Sequence, residues 1–78
     1  MGLKLRQDYI IGNNLRRLRE NAGYTQEQVA IKLQLLGMSM SRGYYSHIET
    51  GNKNISVRML SELRKIFNCT FDDFFQGY

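Results

Sequence analysis

The sequence predicts an all-α domain of five short helices, and three observations predict it. Apolar residues recur at intervals of three and four along most of the chain. A serine or threonine stands before each of the last four candidate helices, and a glycine or asparagine follows each of the first four. Proline is absent, and no segment alternates apolar and polar residues as a half-buried strand does.

The first helix is expected over about residues 8–22, where Ile11, Leu15, Leu18 and Ala22 form one apolar stripe and Gly23 supplies the stop. Before it, residues 1–8 read as a mobile basic arm, and residues 9–78 as one domain. Thr25 opens the second helix, with Gln28 placed to reach back in a capping box. Its stripe is Val29, Ala30, Leu33 and Leu36, and Gly37 ends it. Ser41 caps the third helix, which runs to about Thr50 and Gly51. Residues 51–54 form a turn. Ser56 caps the fourth, whose core face is Val57, Leu60, Leu63, Ile66 and Phe67, and Asn68 takes the left-handed terminal conformation. Thr70, with Asp73 as its box partner, opens a short fifth helix carrying Phe71, Phe74, Phe75 and Tyr78.

Seventy-eight residues bury a modest core and make one domain. The lone Cys69 rules out an internal disulfide, and with no signal-peptide pattern it points to a reducing cytoplasm. No apolar run approaches a membrane span. The net charge is +4 and the pI about 9.5, which favours polyanionic partners. The distribution says more: Lys4, Arg6, Arg16, Arg17 and Arg19 crowd the first quarter, no acid lies between Glu27 and Glu49, and Asp72 and Asp73 sit at the far end.

Chemistry concentrates on the third helix. At roughly 100° per residue, Tyr45 and Ile48 point inward with Tyr44 beside them. Arg42, Gly43, Ser46, His47 and Thr50 share the opposite face. A face that merely met water would more often carry Glu and Lys; this one has hydrogen-bonding groups, one cation and no anion. Two helices with strong start signals, in a small basic chain, read as a helix-turn-helix that places its second helix in DNA. Arg42, in the first turn, has the fork that matches guanine O6 and N7. His47 reads a base or phosphate or stands in water; a lone His and a lone Cys far apart make no metal site. No catalytic constellation and no phosphate-binding glycine loop is present, so neither an enzyme nor a cofactor is expected.

Five signals in register resemble the Cro/CI-type, or xenobiotic-response-element, helix-turn-helix family: Leu15-Arg16-Arg17-Leu18-Arg19, then Gly23-Tyr24-Thr25-Gln26-Glu27-Gln28-Val29-Ala30, Ile48-Glu49-Thr50-Gly51, Leu60 with Leu63, and Phe71-Asp72-Asp73-Phe74-Phe75. The resemblance implies a five-helix, lambda-repressor-like domain. It implies DNA-binding positions: Gln26 on a phosphate at the start of the second helix beside Thr25; Arg42, Gly43 and His47 facing bases, with Ser46 on the same face; Ser41 and Tyr44 on backbone or flanking bases; Asn52 and Lys53 along the sugar-phosphate chain. It implies a salt bridge between Arg19 and Glu49, and a dimer interface on the fifth helix with Phe71, Phe74, Phe75 and Tyr78. From the residues alone, Tyr44 either packs on the second helix or offers its hydroxyl to phosphate. Phe71 and Phe74 suffice to close the core; Phe75 and Tyr78 either form an interface or fold back on the first helix.

Two features depart from the commonest family pattern. The link from Leu33 to Ser41 is longer, with Gln34-Leu35-Leu36 adding a turn of helix and Gly37-Met38-Ser39-Met40 lengthening the connection. Gly43 occupies a position that usually carries a base-reading side chain. The expected function is a sequence-specific transcriptional regulator, a repressor, binding double-stranded DNA as a homodimer on an inverted repeat, with no small-molecule effector. The competing expectation is a protein-interaction or antitoxin-like module with little DNA affinity.

Overall fold

A computed structural model describes Lys4, Leu5 and residues 9–77, with side chains from residue 11. Five helices follow in order: α1 (Tyr9–Asn21), α2 (Gln26–Leu35), α3 (Arg42–Glu49), α4 (Val57–Phe67) and α5 (Phe71–Phe74). The expected all-α, five-helix architecture is the one observed. Asp8, expected in the first helix, and Tyr78 lie outside the described residues.

The local signals act where they were read. Thr25 Oγ1 accepts the Gln28 N–H at 3.1 Å, and Gln28 Oε1 accepts the Thr25 N–H at 2.9 Å, a complete capping box. Ser41 and Ser56 hydroxyls accept the N–H groups of Tyr44 and Met59. Asp73 Oδ2 accepts the Thr70 N–H at 2.9 Å. The four long helices all end alike. A residue with positive φ (Gly23, Gly37, Gly51 or Asn68) donates three residues back, to Glu20, Gln34, Ile48 or Lys65. The residue after it donates five back, to Arg19, Leu33, His47 or Arg64. This is the Schellman stop, which satisfies two orphan carbonyls and turns the chain sharply.

The core is built from Leu15 of α1, Val29 and Leu33 of α2, Tyr45 and Ile48 of α3, Ile55, Leu63 of α4 and Phe74 of α5, all fully buried. Two residues on α1 set its packing. Gly12 meets the C-terminus of α3 so closely that an added Cβ would lie 2.1 Å from the Glu49 carbonyl oxygen. Asn14 is buried and donates to the carbonyls of Phe74 (2.9 Å) and Gln76 (2.8 Å), fastening the chain after α5 onto α1.

Several readings are corrected. Lys4–Leu5 (β1) pairs antiparallel with Ile55–Ser56 (β2), Lys4 opposite Ser56 and Leu5 opposite Ile55. The basic arm is therefore tied to the domain at these residues, through strands of two residues each, too short to show alternation. Leu36, Val57 and Phe71, read as core, are exposed; Met40, Ile55 and Met59 are buried instead. Phe74, read as part of a dimer interface, is fully buried within the domain and is unavailable to a partner. The helix periodicity finds a face; only the arrangement of neighbours decides which end of that face is covered.

Candidate nucleic-acid interface

α3 is held by its buried side and presents the other. Tyr45, Ile48 and Glu49 are buried, whereas Arg42, Gly43, Tyr44 and His47 are exposed and Ser46 is half-buried. No acidic side chain stands on the exposed face of α3. Around Gly43 nothing lies within 4 Å of where a Cβ would stand, so the helix backbone is open to solvent there.

The segments flanking α3 join this surface. Lys53 Nζ lies over the Tyr44 ring, 5.7 Å from its centre, which links the loop after α3 to its first turn. Asn52 Nδ2 donates to Thr50 Oγ1 at 3.1 Å, and the Thr50 hydroxyl donates to the His47 carbonyl at 3.1 Å. At the other end, Arg42 shares a cleft with Thr25, Gln26 and Glu27 at the start of α2, lined also by Arg19 and Tyr24.

Two residues of that cleft, Arg19 and Gln26, converge on a buried carboxylate, Glu49. Arg19 Nε donates to Glu49 Oε2 at 2.7 Å, and Arg19 Nη2 to Glu49 Oε1 at 3.2 Å. Arg19 Nη1 also holds the Tyr24 carbonyl at 2.9 Å, just before α2 begins. Gln26 Nε2 donates to the same Glu49 Oε1 at 3.1 Å. α1, α2 and α3 thus meet at one carboxylate. The Gln26 amide spends one N–H on Glu49 and keeps a second for an external acceptor. The hydrogen bond to Glu49 holds the Arg19 pKa above its ordinary value against the opposing effect of burial. The Tyr45 hydroxyl lies near this carboxylate without completing a hydrogen bond of normal geometry. Burial first, then the Glu49 charge, pushes its phenol pKa far up.

The residues singled out from sequence therefore fall into two groups. Thr25, Gln26, Ser41, Arg42, Gly43, Tyr44, Ser46, His47, Asn52 and Lys53 lie at the start of α2, on α3 and on the loop after it. Phe71 and Phe75 stand apart on α5, 44% and 39% exposed. Sequence reading missed the second partner of Glu49, Gln26, and the close approach at Gly12, because both depend on contacts across helices and leave no local pattern. Cys69 is half-buried, and burial, followed by the nearby Asp73 charge, raises its thiol pKa. Among the described residues no group of side chains could hold a metal ion, and no helix is long and apolar enough to cross a membrane.

The profile of the family described as "Helix-turn-helix" matches residues 15–74, from the middle of α1 through α5. The chain belongs to this family, in its xenobiotic-response-element branch. Members are DNA-binding regulators and are generally not enzymes. A relative, the "Competence pilus inhibition repressor" of Acinetobacter baylyi, is 35% identical over 65 residues, which cover 83% of this chain and 54% of that protein. The chain thus spans about half the length of that relative. No solved structure matches.

Proposed function

We propose that the chain is a sequence-specific transcriptional repressor that binds an inverted-repeat operator as a homodimer, with α3 in the major groove. The observation that carries this reading is the exposed face of α3: an arginine in the first turn, Ser46 and His47 one turn on, an open backbone at Gly43, and no anion. Arg42 reads a guanine through its fork. Gln26, held by Glu49, gives its remaining N–H to a phosphate, together with the free N–H groups of the first turn of α2. Asn52 and Lys53 follow the adjoining backbone. Two copies meet through the exposed side of α5 and set the half-sites about 34 Å apart. The relative is named as a repressor, which favours repression over activation.

Selection of duplexes from a random library by the purified protein tests the reading. The expected product is a two-fold symmetric motif. Arg42→Ala should lose preference at one base pair of each half-site, by about 1–3 kcal/mol, and keep weak binding that salt abolishes. Failure to enrich any motif would sink the proposal. A protein-interaction module is the second reading. The outer face of α2 favours it, with Leu35 82% exposed and Ile31 and Leu36 also exposed. Recovery of one stoichiometric protein partner with no DNA affinity at low salt would establish it.

A further inference from the structure

The connection between α2 and α3 is longer than the family commonly has, and it is built rather than loose. The Schellman stop at the end of α2 uses the carbonyls of Leu33 and Gln34. Two side chains then take carbonyls further along the link. Arg58, in the first turn of α4, donates from Nη2 to the Leu36 carbonyl at 2.9 Å. Gln34, in the last turn of α2, donates from Nε2 to the Met40 carbonyl. Met40 itself is buried in the core, and Met38 packs partly against it. The next residue, Ser41, caps α3. The link is therefore gripped at both of its ends: at Leu36 from α4 and at Met40 from α2.

We propose that Arg58 and Gln34 are positioning residues for DNA recognition, which fix where α3 stands relative to α2 and so which bases Arg42 and His47 reach. Gln26 at the start of α2 registers the domain on the phosphate chain, and α3 reads bases, so the α2–α3 offset converts one into the other. In a short link that offset follows from the backbone. Here the extra residues free it, and the two side-chain bonds restrict it again. A displacement of about an ångström is enough to spoil a bidentate base contact. The inference rests on the DNA-binding reading, and its test separates the two.

The probes are the duplex that wild type enriches from a random library and a scrambled duplex of equal length. Affinity for each is measured at several salt concentrations, beside the melting temperature. Arg58→Ala and Gln34→Ala should each cut the ratio of enriched to scrambled affinity by about tenfold, the loss of roughly one good base contact. Affinity for the scrambled duplex and the slope of log affinity against log salt should stay as in wild type. Arg58→Lys, which can still donate to the Leu36 carbonyl, should recover part of the ratio. A direct phosphate contact by Arg58 would instead weaken both duplexes together and lower the salt slope by about one, overturning the inference. A lower melting temperature with an unchanged ratio in the folded protein would also overturn it, leaving both residues purely structural. If wild type itself prefers no duplex, the DNA-binding reading fails first and takes the inference with it.

Discussion

Glu49 shows how one buried charge can join three helices. Its carboxylate accepts N–H groups from Arg19 on α1 and from Gln26 on α2. Removing it strands the Arg19 guanidinium in a buried site, and breaking such a pair costs about 3–5 kcal/mol. Glu49→Ala should therefore lower stability by that order in urea denaturation; a loss under about 1 kcal/mol would mean that water reaches Arg19 freely. Gly12→Ala should cost about 1–3 kcal/mol by the same assay, because its methyl group would be driven into the Glu49 carbonyl. Tyr45 behaves differently, since its hydroxyl is buried without a hydrogen bond. The folded state holds its pKa above that of the unfolded chain, which is about 10. The fold thus prefers the neutral phenol. That contribution is fully present below about pH 10 and is lost as pH rises past it, because the unfolded chain ionises first. Tyr45→Phe should flatten the alkaline limb of stability and leave the neutral-pH value unchanged or up to about 1 kcal/mol higher. A clear loss at neutral pH would show that the hydroxyl holds a bond worth having.

At the level of elements, the helix ends were legible and their surroundings were not. Caps and stops are decided within six residues, so Thr25, Ser41, Ser56, Gly37 and Asn68 announce themselves. The two-residue β ribbon, the brace by Arg58 and the exposure of Leu36 and Val57 depend on partners far along the chain and carry no local pattern. The exposed face of α3 was legible for a related reason: a wheel with Tyr45 and Ile48 inside leaves Arg42, Gly43, Ser46 and His47 outside. Gly43 is the odd member of that helix, because glycine weakens a helix interior by up to about 1 kcal/mol relative to alanine. Its surroundings would accept a methyl group without contact. Gly43→Ala should then stabilise the domain by about 0.5–1 kcal/mol in thermal or urea unfolding. If the bare backbone serves close approach to DNA, the same substitution should weaken operator binding. A variant that is more stable and binds as tightly as wild type would show that the glycine has no part in recognition.

Across the whole molecule, the aromatic C-terminal segment separates core from surface within five residues. Phe74 is fully buried, while Phe71 and Phe75, on either side of it, are 44% and 39% exposed. Periodicity alone could not divide them, since all three fall on a helix of four residues and its cap. Arg64 covers part of the Phe71 ring, its guanidinium carbon 5.3 Å from the ring centre. Asn14 fixes the backbone at Phe74 and Gln76, so Phe75 is presented from a fastened segment. Two exposed rings on one small domain are the strongest sign of where a second copy would dock, and a two-fold interface would use both from each copy. The two kinds of phenylalanine should respond oppositely to substitution. Phe74→Ala opens a core cavity and should cost about 3–5 kcal/mol, a large part of what a domain of this size has. Phe75→Glu should lower the melting temperature of the monomer much less than Phe74→Ala does, yet abolish self-association in sedimentation equilibrium. On DNA it should convert binding to a two-half-site duplex from steep to shallow in protein concentration, with single half-site affinity retained. If Phe75→Glu sediments and binds as wild type does, the dimer forms elsewhere or not at all, and the inverted-repeat operator loses its structural basis.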